Sequence, residues 1–298
     1  MTDFLKINKI KYDTPRTKFF FLLKKQAVKE QELIKVISKY DAVICGDDEI
    51  TKKVINKAKS LKVISKWGTG LDSIDVNYAR KKGIKIYNTP NAFTKSVAQL
   101  ALSFILNFSR NTLEIHEKVK NGEWPKIQGF LINNKIIGII GFGKIGNEIS
   151  RLVIKLGMKV LFYDKKKLKV PKNKNIKKTN LNFLFKKSDI VISSCDLNSS
   201  SYNLINYKKI KLMKKNSGII NISRGGVINE NDLIKMLKTK KIRFAALDVF
   251  KKEPINKNHK IIKFKNCILG SHNAFNTVEE VNKVNINTIK NLYKGLKI

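Results

Sequence analysis

The chain has 298 residues, with 61 Lys and Arg against 23 Asp and Glu, for a formal net charge of +38. Hydrophobic residues make up 42%, which excludes a disordered polar chain or a collagen-like repeat, and at about 100–200 residues per domain the length fits two domains. Cys45, Cys195 and Cys267 are far apart and odd in number, so neither a disulfide framework nor a Cys-based zinc site is expected, and a reducing, cytoplasmic setting fits.

No stretch reaches the roughly 18 apolar residues of a membrane span. The N-terminal MTDFLKINKIKYD carries Asp3 and lacks the apolar core of a secretory signal. The positive excess is Lys spread along the whole chain beside much Ile and Asn, with six Arg in all. That is the pattern of A/T-rich codon usage. There is no basic stripe with interleaved aromatics, zinc finger or RRM signature, so no nucleic-acid partner is expected. A positive field that attracts small anionic substrates remains.

In chain order, short apolar strands alternate with helical patterns, which is the signature of parallel α/β architecture. Strands are expected at 42–45, 62–65 and 85–87. Helices are expected at 49–60, with Thr51 as cap, and at 76–82, closed by Gly83. Residues 94–120 read as one long helix, free of Gly and Pro and able to bridge two domains. A second series begins at Lys135. Its strands are expected at 136–140, 159–163, 190–193, 218–221, 245–249 and 268–270. Its helices are expected at 145–156, 181–187, 205–213 and 230–238, with a last helix at 278–296. The Lys- and Asn-rich segment 165–178 reads as a solvated connection.

The strand KIIGII runs into Gly141-Phe142-Gly143-Lys144-Ile145-Gly146, which opens a helix. A lone G-x-G-x-x-G is weak, but here the strand and helix that a dinucleotide fingerprint requires flank it. Gly141 permits the tight turn, Gly143 lets backbone approach a pyrophosphate, and Gly146 lets the helix pack close on the strand. The first-turn N–H groups of Lys144, Ile145 and Gly146 face the phosphates. The next strand ends at Asp164, where a carboxylate accepts hydrogen bonds from ribose hydroxyls and repels a 2′-phosphate. This favours NAD over NADP, though Lys165, Lys166 and Lys167 soften the repulsion. The competing reading is a Gly-rich turn with no ligand.

Three clusters follow at strand ends, where α/β sheets hold their ligands. In Asn221-Ile222-Ser223-Arg224-Gly225-Gly226, an Arg retained in a Lys-saturated chain suggests bidentate recognition of a carboxylate; an Arg capping a turn is the alternative. The second is Leu247-Asp248 with Glu253 on the following loop. The third is Gly270-Ser271-His272-Asn273. His116 and His259 read as solvated surface. His272 alone sits at a strand end, where a purely structural His is the competing reading.

These residues resemble the D-isomer-specific 2-hydroxyacid dehydrogenases, the family of phosphoglycerate dehydrogenase, glycerate dehydrogenase and glyoxylate/hydroxypyruvate reductase. The resemblance runs nearly end to end through KWGTGLDSID (66–75), NTPNAFTKSVAQ (88–99), GIIGFGKIG (138–146), SDIVIS (188–193), NISRGGVINENDL (221–233), LDVFKKEP (247–254) and GSHNAFNT (270–277). It is strongest toward phosphoglycerate-dehydrogenase-like members, with no room after the last motif for a regulatory domain.

The resemblance implies that Arg224 binds the substrate carboxylate and polarises its 2-oxygen. His272 is then the general acid/base and Glu253 its hydrogen-bonded acid. Asp248 holds the nicotinamide side of the cofactor, Ile222 and Ser223 contact the cofactor, and the backbone N–H groups around Thr69 and Gly70 hold the carboxylate. An imidazole can take and return the hydroxyl proton near neutral pH, and an Arg stabilises a developing alkoxide. The chain departs from the family at Gln99, at Ser271 before the His, and at Ser194-Cys195-Asp196 in place of His-x-Pro. The last departure puts the details of nicotinamide contact in question.

The expected fold is therefore α/β with two domains. Residues 1–93 and 276–298 form a flavodoxin-like substrate domain, and residues 94–275 form a Rossmann NAD-binding domain. A cleft between them is expected to close Thr69 and Gly70 onto Arg224 and His272. A homodimer through the 94–120 region is implied. The expected activity is NAD-dependent hydride transfer at C2 of a small anionic D-2-hydroxy or 2-oxo acid. 3-Phosphoglycerate, feeding serine biosynthesis, is the first candidate. Lys66, next to the carboxylate loop, is the point charge for its phosphate. The alternatives are a glyoxylate/hydroxypyruvate reductase and an NAD(H)-sensing binding protein on the same fold.

Overall fold

A computed structural model describes residues 27–298. The reading of the N-terminal segment as free of a secretory signal lies outside the described residues. These divide into two compact units, one of residues 27–93 with Asn276–Ile298 and one of Thr94–Phe275.

In chain order the first unit contains α1 (Glu30–Ile34), β1 (Ala42–Cys45), α2 (Lys52–Lys57), β2 (Val63–Lys66), α3 (Val76–Lys81) and β3 (Lys85–Tyr87). The strands pair in parallel in the order β1-β2-β3. The Thr51 hydroxyl accepts the Val54 N–H and the Asp75 carboxylate accepts the Tyr78 N–H, so each of these helices starts on a side-chain cap. Ile50, Val54, Ile64 and Ala79 fill the core beneath.

The second unit begins with α4 (Thr94–Arg110) and α5 (Thr112–Lys120), followed by β4 (Ile136–Ile140), α6 (Lys144–Lys155), β5 (Lys159–Tyr163) and β6 (Ile176–Lys178). Then come α7 (Leu181–Lys187), β7 (Ile190–Ser193), α8 (Tyr207–Leu212), β8 (Ser217–Asn221), α9 (Glu230–Lys238), β9 (Ile242–Leu247) and β10 (Cys267–Leu269). Its seven strands form one parallel sheet in the order β10-β9-β8-β7-β4-β5-β6. β7 and β8 are buried throughout, as expected of strands covered on both faces. The chain leaves β4 toward β5 and returns on its other side as β7. The carboxyl ends of β4 and β7 therefore flank a topological switch point, where open α/β sheets bind ligands.

The last helix, α10 (Val278–Leu296), packs on the first unit. The Ser65 hydroxyl donates to the Thr288 carbonyl at 2.8 Å, and the Trp67 indole donates to Asn285 at 2.7 Å. Gly295 lies so close to β2 that a Cβ there would sit 2.6 Å from Val63. No helix of the described residues is long and apolar enough to cross a membrane.

Two expectations need correction. The 94–120 segment is two helices, because Asn111 adopts the left-handed conformation (φ 54°) between them. Asn tolerates that conformation, and two side-chain bonds hold it: Asn111 Nδ2 donates to the Gln128 carbonyl at 3.1 Å and Oδ1 accepts from Arg243 at 2.9 Å. The 165–178 segment is not wholly a connection. Its end forms β6, an edge strand of half-buried Ile176 and Lys178 around exposed Lys177.

Candidate functional site

The three glycines of the fingerprint are small for different reasons. Gly141 follows β4 at φ 90°, and a Cβ there would lie 2.7 Å from the Cys195 backbone nitrogen. A Cβ on Gly146 would lie 2.3 Å from the Gly141 carbonyl oxygen, so this glycine seats α6 on the turn. Gly143 has ordinary backbone (φ −71°), and a Cβ there would meet no protein atom within 4 Å. The protein's own packing therefore asks for Gly141 and Gly146 but not for Gly143. Gly143 also caps α6 and brings no side chain to satisfy the first-turn N–H groups of Lys144, Ile145 and Gly146. An open floor beside unfilled donors fits a pyrophosphate.

Asp164, at the end of β5, is tied to this turn. Its Oδ2 accepts the Phe142 N–H and its Oδ1 the Lys166 N–H, both at 2.8 Å. Each oxygen keeps a lone pair for a further donor such as a ribose hydroxyl. On the other side of the switch point, the Ser194 hydroxyl donates to the Gly141 carbonyl at 2.7 Å. The Ser194-Cys195-Asp196 departure thus braces the glycine turn. Burial pushes the Cys195 thiol up to about 11.

The remaining residues stand at the carboxyl ends of β8, β9 and β10, on the same edge of the parallel sheet. Arg224 follows β8, and its Nη1 donates to the Ser223 carbonyl at 2.9 Å. His272 follows β10 in the left-handed conformation (φ 57°), with its N–H on the Asp248 carbonyl at 2.6 Å. Its Nδ1 lies 2.8 Å from Glu253 Oε2. The other Glu253 oxygen accepts the Phe250 N–H at 2.8 Å, which fixes the carboxylate toward the imidazole. Arg224, Glu253 and His272 therefore all project from one unit. The tautomer follows from the pairing: Nδ1–H faces the carboxylate.

Three further candidate residues, Asp248, Ser223 and Lys66, have engagements within the protein. Asp248 is 1% exposed, and its two oxygens accept the Asn273 and Ala274 N–H groups at 3.0 and 2.9 Å. Its carboxylate folds the His272 loop. The Ser223 hydroxyl faces inward onto Asn221 Oδ1 at 2.9 Å, so Ile222 and Ser223 present backbone rather than a polar side chain. Lys66 is 3% exposed, with its ammonium on the Gly46 carbonyl and on Asp47 at 2.8 Å. It is a buried, paired cation and not a spare point charge.

Thr69 and Gly70 lie in the first unit on a loop laced to Thr89. The Thr69 hydroxyl donates to the Thr89 carbonyl, and the Gly68 N–H donates to the Thr89 hydroxyl, both at 3.0 Å. Among the described residues, no acceptor takes the Thr69 or Gly70 peptide N–H. That leaves two donors for an anion.

His259 differs from its sequence reading as solvated surface. It is half-buried, its Nδ1 accepts the Ile261 N–H, and its Nε2 lies 3.3 Å from Glu230, whose other oxygen takes the Lys251 N–H. This second His–Glu pair anchors the loop that carries Glu253. Sequence reading gave no role to Ser193 or Glu230, and it named Asn221 and Ser194 without assigning their side chains a task. The available signal was Asn221 itself, a side chain with donor and acceptor at the end of an apolar strand and within the run that leads to Gly225-Gly226.

Residues 102–274 match the family model described as D-isomer specific 2-hydroxyacid dehydrogenase, NAD binding domain. The chain is 35% identical over 279 residues to a glyoxylate reductase of Thermofilum pendens, covering 90% of this chain and 81% of that one. It is 36% identical over 255 residues to a D-3-phosphoglycerate dehydrogenase of Methanocaldococcus jannaschii, covering 84% of this chain and 48% of that longer one. The fold superposes on D-lactate dehydrogenase from Aquifex aeolicus, complexed with NAD and lactic acid, with a TM-score of 0.85, 26% identity and coverage of 95% and 94%. The family model covers more than half of the chain and a relative is 35% identical over most of both chains: the chain belongs to the D-isomer-specific 2-hydroxyacid dehydrogenases, oxidoreductases that use NAD.

Proposed function

We propose that this chain reduces a small 2-oxo acid to the D-2-hydroxy acid, with Arg224, Glu253 and His272 as the reacting set. The observation that carries the reading is the His272–Glu253 pair at the carboxyl edge of the sheet that also bears the glycine turn. The Thr94–Phe275 unit is read as the dinucleotide-binding domain and the other as the substrate domain. Gly141, Gly143, Lys144, Ile145 and Gly146 hold the pyrophosphate and Asp164 the ribose. Ile222 and Ser223 offer backbone to the nicotinamide side, beneath which Asp248 supports the His272 loop. When bound, NADH supplies the hydride that C2 receives.

Everything else is done by the chain's own groups. The Arg224 guanidinium orients the carboxylate and 2-oxygen and stabilises negative charge as it develops on that oxygen. His272 gives its Nε2 proton to the oxygen, so carbonyl, hydride and proton sum to the alcohol. In the reverse direction it takes the hydroxyl proton. Glu253 holds the ring and offsets the charge of the imidazolium. The Thr69 and Gly70 N–H groups are read as a second carboxylate cradle.

For the substrate, glyoxylate or hydroxypyruvate is favoured. The expectation of a phosphorylated acid rested on the family resemblance, the net positive charge and Lys66, and the Lys66 ammonium is buried against Gly46 and Asp47. The similarity to a phosphoglycerate dehydrogenase keeps 3-phosphoglycerate, and hence serine biosynthesis, as the second reading. A homodimer is supported by large apolar side chains left exposed in the 106–131 segment, among them Trp124 and Leu131 at 80% and 77%. Light scattering tests it. Three free thiols support a reducing compartment.

The deciding experiment follows NADH absorbance with glyoxylate, hydroxypyruvate, pyruvate and phosphohydroxypyruvate. Turnover fastest with glyoxylate or hydroxypyruvate is the expected result. A preference for phosphohydroxypyruvate favours the second reading. NADH binding without turnover of any acid would replace the enzyme by an NAD(H)-sensing binding protein.

A further inference from the structure

Asn221 is the last residue of β8 and is 1% exposed. Its Oδ1 accepts the Ser223 peptide N–H at 3.1 Å and lies 2.9 Å from the Ser223 hydroxyl and 3.1 Å from that of Ser193. The two hydroxyls also touch each other, so two protons serve a closed triangle of contacts. Its Nδ2 donates to the Arg224 carbonyl at 3.1 Å. One amide thus spans the turn, its acceptor on the N–H two residues ahead and its donor on the carbonyl three residues ahead. Turned end over end, it would set N–H against N–H and carbonyl against carbonyl.

That carbonyl also accepts the Val227 N–H at 3.1 Å. The next residue, Gly225, packs so tightly on the Phe250–Lys251 peptide that a Cβ would fall 1.9 Å from the Phe250 carbonyl carbon. The Arg224 main chain is therefore gripped on both sides. We propose that Asn221 is a positioning residue for Arg224: its side-chain amide sets the backbone frame from which the guanidinium meets the substrate carboxylate. This rests on the reading of Arg224 as the carboxylate-binding group. Only Asn meets the requirement at this reach. Asp has the same shape but no donor, and sets a carboxylate oxygen against the Arg224 carbonyl. Ser can accept locally but cannot span the turn.

The test compares Asn221→Asp, Asn221→Ser, Arg224→Ala and the Asn221→Ser/Arg224→Ala double variant, with NADH and glyoxylate as probes. Circular dichroism establishes folding; should Asn221→Asp fail to fold, Asn221→Ser decides. In the folded Asn221 variants KM for glyoxylate should rise about tenfold or more, while Kd for NADH stays within about twofold. In the double variant the Asn221 change should add nothing to the loss caused by Arg224→Ala. An unchanged KM, a parallel rise of KM and NADH Kd, or additive losses in the double variant would overturn the proposal. If Arg224→Ala itself keeps a near-native KM, the reading of Arg224 fails and the proposal with it. If Arg224→Ala loses activity and the Asn221 variants do not, the proposal alone fails.

Discussion

His272 Nδ1 lies 2.8 Å from Glu253 Oε2, although the two residues follow different strands and 18 residues separate them in the chain. In the function proposed above, the pair orients the imidazole for proton exchange with the substrate oxygen. His272→Ala is expected to lower kcat by about 10²–10⁴-fold, and Glu253→Gln by a smaller factor, with melting temperatures near that of the parent. Near-normal kcat in His272→Ala would remove the proton-transfer role.

The fingerprint glycines make a sharper test. A Cβ on Gly143 meets nothing and the backbone there suits any residue, whereas Gly141 has a positive φ and abuts Cys195. Gly143→Ala should leave the melting temperature unchanged but raise Kd for NADH about tenfold or more. Gly141→Ala should lower the melting temperature, because strain at a φ > 0 position and a backbone clash add. Equal thermal effects of the two would contradict the assignment.

Asp164 is expected to favour NADH over NADPH by about tenfold or more in kcat/KM, because like charges brought together cost several kcal/mol. Asp164→Ser should narrow the gap. It should also loosen the turn, since the carboxylate accepts two backbone N–H groups. Equal kcat/KM for both cofactors in the parent protein would refute the preference.

Lys66→Met removes a buried cation that pairs with Asp47. The expected result is loss of stability, with KM for hydroxypyruvate and phosphohydroxypyruvate changed in the same proportion. A selective rise in KM for the phosphorylated acid would return Lys66 to the substrate.

Burial, the largest influence on each thiol, pushes Cys195 up to about 11 and Cys45 and Cys267 up to about 12, from an ordinary value of 9.0. The unfolded chain loses these protons near pH 9 while the folded chain keeps them. This contribution to stability is therefore complete below pH 9 and is lost as pH rises from about 9 to 12. At pH 8 the folded protein should resist Ellman's reagent, and denaturant should release three reactive thiols. A rapidly labelled thiol in the folded protein would show that one of them is not held as described.

Much of the fold was legible because its signals are local. Unbroken apolar runs marked β4, β7 and β8, and Thr51 marked a helix start. The glycine fingerprint was readable between its strand and its helix. One Arg among so many Lys pointed to Arg224. Where local signals misled, a distant partner had overridden them. The 94–120 segment has good helical pattern throughout, yet Arg243, 132 residues away, grips Asn111 and the helix breaks there. Ile176–Lys178 looks like polar connection because an edge strand needs little apolar surface, and β5 supplies its pairing.

The sequence by itself determined the alternation of strands and helices, the dinucleotide fingerprint and the placement of Arg224, Asp248 and His272 at strand ends, because these follow from periodicity, caps and spacing within a few residues. Only the tertiary structure decided what each polar group does there. It turned Asp248 onto the His272 loop, buried Lys66 against Asp47, set Glu230 against His259 and made Asn221 the bridge across the Arg224 turn. A buried polar atom must find a partner. Which partner it finds depends on the strands that the sheet order brings side by side, and that order is not written in the neighbourhood of any one residue.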